Sequence, residues 1–166
     1  MSEAERFSPK AMLRALTGGG VRFIVIGGLA AQAHGSSSLT GDLDLCYERS
    51  RENLDRLAVA LRGLAAVRRG DPAFAAIPLD ARALRAGDVF TLATSGGILD
   101  LLGNPDPGMT YQTLLPNAIE VPVDGETVLV AGLDDLMAMK RAAGRPKDRI
   151  ELEILGALRE EIDRRG

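Results

Sequence analysis

The stretch VIGGLAAQAHGSSSLTGDLDLCY, Val25 to Tyr47, decides the fold, because it joins an apolar run to two glycines and then to two closely spaced aspartates. The run is β-branched and aromatic, which predicts a buried strand over 22–28 that ends in a tight turn. The segment after the glycines predicts a short helix. The next segment alternates polar and apolar residues as a strand does, so Asp42 and Asp44 share one face of it.

These two aspartates direct their carboxylates into one small volume, because residues i and i+2 of a strand have Cα atoms about 6 to 7 Å apart. Two like charges at that spacing repel each other unless a positive charge lies between them. Mg²⁺ binds carboxylate oxygens together with substrate phosphates, so Asp42 and Asp44 form a candidate metal site. For a D-x-D pair taken alone, a solvent-facing polar edge is the alternative interpretation.

Two further features add to this site. Asp100 interrupts the apolar strand GILDLLG, where an unpaired carboxylate costs several kcal/mol. A metal shared with the other two aspartates would compensate its charge, and an ion pair with an arginine is the alternative. Gly27 and Gly28 allow backbone N–H groups to approach an anion, although a glycine pair also suits any tight turn.

The remaining segments predict two hairpins and three longer helices. One hairpin turns at SGG and the other at Asp124-Gly125, where Pro122 indicates that the first arm lies at a sheet edge. A helix follows Ser50, and another ends at Gly144. The last helix starts near Pro146, and its predicted apolar face consists of Ile150, Ile154, Leu155, Leu158 and Ile162. Together the segments predict an α/β (α+β) fold, a mixed sheet flanked by helices with C-terminal helices.

Composition limits the classes of function. A chain of 166 residues suits one domain, here 1-166, and its apolar runs are too short to span a bilayer. The single cysteine and the lack of a signal-peptide core predict a cytoplasmic protein with no membrane partner. The net charge of −3 gives no overall basic field for nucleic acid, although the segment KRAAGRPKDR, 140–149, is strongly cationic.

These motifs resemble the minimal nucleotidyltransferases of the polymerase-β-like superfamily, in which a glycine pair, a D-x-D motif and a separate acidic residue follow one another. The C-terminal LDDLMAMKRAAGRPKDRIELEIL is similar to the charged segment of the bacterial abortive-infection and toxin–antitoxin (AbiEii-like) nucleotidyltransferases. The resemblance covers about residues 21–158. It implies a nucleotidyltransferase-like sheet, with a palm-like core over about 21-115 and a C-terminal hairpin and helices over about 116-166.

The resemblance also implies roles for individual residues. Asp42, Asp44 and Asp100 would hold two Mg²⁺ ions, and Asp100 would help to activate the acceptor hydroxyl. The nucleotide, a nucleoside triphosphate (NTP), would contact four residues, which are Gly27, Gly28, Lys140 and Asp148. Relatives often have arginine where this chain has Ser38, and many have serine in place of Gly28, so the nucleotide preference is left open.

The reaction implied is metal-dependent transfer of a nucleoside monophosphate from an NTP to an acceptor hydroxyl. The first hypothesis is a toxin-like enzyme that modifies an RNA such as tRNA and is restrained by an antitoxin protein. A second makes the acceptor a small hydroxylated molecule, such as an aminoglycoside-like antibiotic, which suits the acidic net charge. A third is a non-catalytic module that only binds nucleotide.

Overall fold

The computed structural model describes residues 7–166. Within them lies one mixed sheet of seven strands, in the spatial order β3-β4-β5-β2-β1-β7-β6. The strands are β1 (Phe23–Ile26), β2 (Asp42–Tyr47), β3 (Val67–Arg68), β4 (Val89–Thr94), β5 (Gly97–Leu102), β6 (Ile119–Val123) and β7 (Glu126–Val130). The α/β prediction is confirmed. The segment 25–47 joins β1 to β2, which are neighbouring strands in the middle of the sheet.

The sheet is mixed because its central strands pair in both directions. Strand β2 runs antiparallel to β1 and parallel to β5, and β1 runs parallel to β7. The other three pairings, β3–β4, β4–β5 and β6–β7, are antiparallel. This topology brings together strands that are far apart in the chain.

Eight α-helices lie around the sheet within the described residues. They are α1 (Pro9–Gly18), α2 (Gly27–Ala33), α3 (Arg51–Gly63), α4 (Pro72–Ala75), α5 (Ala81–Ala86), α6 (Tyr111–Leu114), α7 (Leu133–Ala143) and α8 (Pro146–Arg165), and a 3₁₀ helix spans Leu115–Asn117. Helix α3 contacts α1 and α5, whereas α7 contacts α2 and α8.

The two groups of helices pack on opposite faces of the sheet. Tyr47 points to one face, where its hydroxyl donates to the carbonyl of Leu84 in α5. Asp44 is three positions earlier in β2 and points to the other face, toward α7. Leu43 and Leu45 are buried beneath the first group, so the apolar half of the alternating strand forms the core.

Both predicted hairpins are confirmed. Strands β4 and β5 pair across the Ser95-Gly96 turn, and β6 and β7 pair across Asp124-Gly125. Strand β6 is an edge strand, as Pro122 predicted, because proline cannot donate a hydrogen bond to a further strand. Ser50 also caps α3 as expected, since its hydroxyl accepts the N–H of Asn53.

The apolar face predicted for α8 is partly wrong. Leu155 is buried and Leu158 packs against the core, but Ile150 and Ile162 are 62% and 45% exposed. The reason is that the buried side of this twenty-residue helix runs through Asp148 and Leu155, a side that Ile150 does not share, and that every residue from Glu160 onward is exposed. Helix α1 was not predicted at all, although Met12 and Leu16 are fully buried.

The C-terminal hairpin belongs to the same sheet as the preceding strands, because β7 pairs with β1. Residues 1–6 of the predicted domain lie outside the described part of the chain. The assignment of 1-166 to one domain therefore stays a prediction. Over residues 7–166, no helix has the length and apolar character needed to cross a membrane.

Candidate active site

Three aspartates meet at the centre of the sheet because of the register of its strands. Asp44 in β2 lies between Ile26, the last residue of β1, and Asp100 in β5. Asp42 is two positions before Asp44 and therefore shares its face. One carboxylate oxygen from each of the three aspartates lies within 4.8 Å of the others, and all three side chains are half-buried.

The surroundings of this acidic triad exclude two of the alternative interpretations. Asp42 and Asp44 are on the central strand of the sheet and not on a solvent-facing edge. No ion pair between described residues involves Asp100, so an arginine does not compensate its charge. Its Oδ1 atom is buried and makes no hydrogen bond within the described protein.

The electrostatics of the triad favour a bound cation. Burial, together with the negative charge of Asp42, raises the pKa of Asp44 to about 8. Burial also raises the pKa of Asp100, and the charge of Asp42 adds to this effect. The two raised pKa values mean that ionised Asp44 and Asp100 are unfavourable when no cation is bound. A divalent cation, which binds carboxylate oxygens, would favour the ionised form and lower both pKa values. The residues therefore fit a Mg²⁺ site.

Gly27 stands directly against the triad. Its φ is +69°, which favours glycine, and a Cβ placed on it would lie 2.1 Å from Oδ2 of Asp44. Because backbone and carboxylate are this close, no other residue fits here without moving Asp44. The position of Asp44 therefore requires glycine at position 27. The contact of Gly27 with a triphosphate stays a prediction.

Gly28 contacts a residue that the sequence analysis missed. A Cβ on Gly28 would lie 2.8 Å from the Cβ of Thr40, and the Thr40 hydroxyl donates to Asp42 Oδ1 at 3.0 Å. The sequence signal was a hydroxyl residue two positions before the D-x-D motif, a spacing at which side chains often bond locally. Ser38, where relatives have arginine, lies in the same loop, and its carbonyl accepts the Gln32 amide.

A second charged group forms where α7 meets α8. Helix α7 ends at Gly144 with φ +63°, and Asp148 in the first turn of α8 is 0% exposed. Asp148 accepts from the Arg145 Nε at 2.7 Å, the Arg145 backbone N at 3.1 Å and the Lys140 Nζ at 3.3 Å. Hydrogen bonds from Arg145, and then those from Lys140, lower the pKa of Asp148 to about 2.

Lys140 also pairs with Glu151, at 2.9 Å, and its side chain is 16% exposed. We refer to Lys140, Arg145, Asp148 and Glu151 as the junction cluster. Two of its members, Arg145 and Glu151, were not among the predicted site residues. The KRAAGRPKDR segment had indicated positive charge here and had included Asp148, but the contact of Lys140 with Glu151 depends on how the two helices pack.

Members of the triad and of the junction cluster line one cavity of about 210 Å³. The sheet side of its lining, which we call one wall, includes Gly27 and Asp44, and the helix side, the other wall, includes Lys140, Arg145 and Asp148. Apolar side chains complete the lining, namely Ile26, Leu102, Pro105, Leu136, Met139 and Ala143. Four of the seven predicted site residues therefore share this cavity; Asp42 and Asp100 adjoin it through Asp44, and Gly28 adjoins it through Gly27.

Comparison with known proteins gives the fold a class. No protein-family model matches the sequence, and no curated protein sequence matches it. The fold is that of the nucleotidyltransferases, in agreement with the predicted class. One similar solved structure is that of the lincosamide antibiotic adenylyltransferase LnuA with lincomycin bound, at a TM-score of 0.60.

The two chains share 12% identity, and the match covers 92% of this chain and 98% of LnuA. A similarity at this identity defines the fold alone, and that fold agrees with the one that the resemblance implies. The narrower resemblance to the abortive-infection and toxin–antitoxin members stays a prediction.

Proposed function

We propose that this protein is a metal-dependent nucleotidyltransferase that moves a nucleoside monophosphate from an NTP to the hydroxyl of a small molecule. One observation carries the proposal: three carboxylates that form no ion pair with described residues converge beside a cavity, and the cations Lys140 and Arg145 line that same cavity. An NTP with its divalent ions has the complementary arrangement, since its metal-bound face is positive and its outer phosphate oxygens are negative.

The reaction would be an in-line displacement at the α-phosphorus. The acceptor oxygen forms a bond to that phosphorus, the bond to the oxygen bridging the β-phosphate breaks, and pyrophosphate leaves. Two divalent ions held by Asp42, Asp44 and Asp100 would supply charge neutralisation for the attacking and leaving oxygens. Asp100 would take the proton of the acceptor hydroxyl, because it is the carboxylate that adjoins the ion-binding pair on the neighbouring strand.

A small acceptor is favoured over RNA by two features. The net charge is −3, so the protein as a whole does not attract a polyanion. LnuA, which has the same fold over nearly its whole length, is an antibiotic adenylyltransferase. We therefore place the small-molecule acceptor before the RNA acceptor that the sequence analysis put first.

An RNA acceptor is the second candidate, and the exposed cations beside the cavity favour it. Arg141, Lys147 and Arg149 are exposed around the junction of α7 and α8, and no ion pair between described residues involves them. Phosphates of a tRNA end could contact these side chains while its terminal hydroxyl reaches the cavity. Restraint by an antitoxin protein, which the resemblance implies, stays a prediction.

Label transfer tests the proposal. The protein is incubated with Mg²⁺ and each of the four α-labelled NTPs, first with a panel of hydroxylated antibiotics and then with total tRNA; Asp42→Asn is the matched control. The proposal is supported if the wild type transfers label to a small molecule and Asp42→Asn does not. If label appears only on tRNA, the RNA acceptor replaces the small-molecule acceptor. Nucleotide binding without transfer to either class would favour the non-catalytic module.

A further inference from the structure

Thr40 and Gly28 interlock next to the acidic triad. A Cβ on Gly28 would lie 2.8 Å from the Cβ and 2.9 Å from the Oγ1 of Thr40, closer than real Cβ atoms approach other atoms. Any side chain at position 28 would therefore displace Thr40. The space that a side chain at position 28 would need is already filled by this threonine.

In this position Thr40 forms a hydrogen bond with the Asp42 carboxylate of the triad. Its Oγ1 donates to Asp42 Oδ1 at 3.0 Å and lies 3.3 Å from the Asp42 carbonyl oxygen. Asp42 and Asp44 repel each other when both are ionised, so a freely rotating Asp42 carboxylate would turn away from its neighbour. The hydrogen bond opposes that rotation and occupies one oxygen, which leaves Oδ2 free to bind an ion.

We propose that Thr40 is a positioning residue, which orients the Asp42 carboxylate for metal binding, and that position 28 is glycine because Thr40 needs its space. This inference rests on the proposed function, since it assumes that the triad binds divalent ions. Hydrogen-bonded partners of metal ligands affect metal affinity about 10- to 100-fold when they are removed. Thr40 should have an effect of that size without touching the ion.

The first test measures Mn²⁺ binding by the electron paramagnetic resonance signal of the free ion, with no nucleotide present. Thr40→Val keeps the shape and removes the hydroxyl, and we expect its Mn²⁺ dissociation constant to rise about 10-fold or more. Thr40→Ser keeps the hydroxyl and should bind Mn²⁺ as the wild type does. Thr17→Val is the matched control, because the Thr17 hydroxyl donates to the Leu13 carbonyl within α1 at 2.8 Å.

The outcomes separate this inference from the proposed function. A wild-type protein that binds no Mn²⁺ would overturn the proposed function, and the inference with it. If the wild type binds Mn²⁺ and Thr40→Val binds it equally well, Thr40 does not position Asp42, and the proposed function stands. Loss of binding in Thr40→Ser as well as Thr40→Val would also overturn the inference, because the hydroxyl would then not be the group that matters.

A second test examines the interlock with Gly28 in the same assay. Gly28→Ala should weaken Mn²⁺ binding, since the added methyl group displaces Thr40 from Asp42. In a Thr40→Gly background, which already lacks both the hydroxyl and the clashing atoms, Gly28→Ala should have no further effect. Additive losses in the double variant, or wild-type binding by Gly28→Ala alone, would refute the interlock. Circular dichroism melting curves verify that each variant is folded at the assay temperature.

Discussion

Asp44 and Asp148 lie on opposite walls of the same cavity, yet their pKa values shift in opposite directions. The pKa of Asp44 rises to about 8, because burial and the neighbouring Asp42 make its charge unfavourable. The pKa of Asp148 falls to about 2, because Arg145 and Lys140 donate hydrogen bonds to it. The Asp148 side chain is 0% exposed, yet its pKa falls, because the hydrogen bonds from its cationic partners outweigh the effect of burial.

The contrast separates a cluster whose carboxylates have cationic partners in the protein from one whose carboxylates form no such ion pairs. The junction cluster compensates its carboxylates with its own cations, so it can hold the start of α8 in place without a ligand. No ion pair between described residues includes a member of the triad, and its three carboxylates fit a cation that arrives from outside. Substitutions on the two walls should therefore affect different properties, catalysis on one and stability on the other.

The largest effect is expected when the triad loses a charge. Asp42→Asn keeps the size of the side chain but removes its charge, and it should lower nucleotidyl transfer at least about a thousandfold, because bound metal contributes several kcal/mol to the transition state. Initial rates of label transfer measure the effect. Asp124→Asn is the control, since this exposed turn residue has φ +49°, which asparagine tolerates. Turnover by Asp42→Asn at the control rate would refute the metal assignment.

On the opposite wall, Asp148→Asn should mainly cost stability. The change leaves Arg145 and Lys140 without their shared carboxylate, and we expect Tm at pH 7 to fall on the order of 10 °C. Because the folded-state pKa of Asp148 is lowered, the stabilisation is complete above about pH 4 and is lost as the pH falls through about 2. The Tm difference from the wild type should therefore shrink in acid.

The control for this variant is Asp163→Asn, which removes a carboxylate of the same helix whose contact with Arg159 is long, at 3.9 Å. Its Tm should stay within about 2 °C of the wild type. An Asp148→Asn protein with a wild-type Tm at pH 7 would show that the junction cluster does not stabilise the fold.

Asp44→Asn should have the opposite effect on stability when no metal is present. Because the folded-state pKa of Asp44 is raised, the folded wild type retains a proton that the unfolded chain loses, so its stability falls as the pH rises from about 4 to about 8. Asp44→Asn removes this loss, and its Tm at pH 8 in a chelator should exceed that of the wild type by several degrees. Differential scanning calorimetry from pH 5 to pH 8 measures both slopes.

Adding Mg²⁺ to the wild type should recover part of the lost stability at pH 8 and much less at pH 5, because protons compete with the ion for Asp44. A metal-free wild type whose Tm does not change over this range would contradict the raised pKa. Equal slopes in the wild type and in Asp44→Asn would assign the pH dependence to another group.

The sequence predicted the residues of the triad better than those of the junction cluster, for a physical reason. The alternation of β2 places Asp42 and Asp44 on one face, and an aspartate inside an apolar run marks Asp100 as a residue that needs a partner. These are local properties. The pairing of Asp44 with Asp100 depends on the parallel register of β2 and β5, which no periodicity encodes.

Contacts between side chains from distant segments were less predictable. Lys140 was expected to reach a phosphate, and the structure pairs it with Asp148 and Glu151, whose positions depend on the angle between two helices. The contact of Gly28 with Thr40 depends in turn on how the loop after α2 returns to the sheet. A glycine in the sequence indicates that space is restricted, but not which side chain restricts it.

The smallest effect concerns Lys140, which belongs to the junction cluster and was predicted to contact the nucleotide. Its ammonium contacts Glu151 at 2.9 Å and Asp148 at 3.3 Å, so a triphosphate would have to compete with both carboxylates. Lys140→Met keeps the apolar stem and should weaken binding of a non-hydrolysable NTP about 5- to 10-fold, whereas Glu151→Gln removes one competitor and should strengthen it about 2-fold. Isothermal titration calorimetry measures both affinities, and melting curves show whether the variants stay folded. Opposite changes in the two variants would assign Lys140 to the nucleotide; unchanged affinity in Lys140→Met would assign it to the junction cluster alone and leave Arg145 as the cation of that wall.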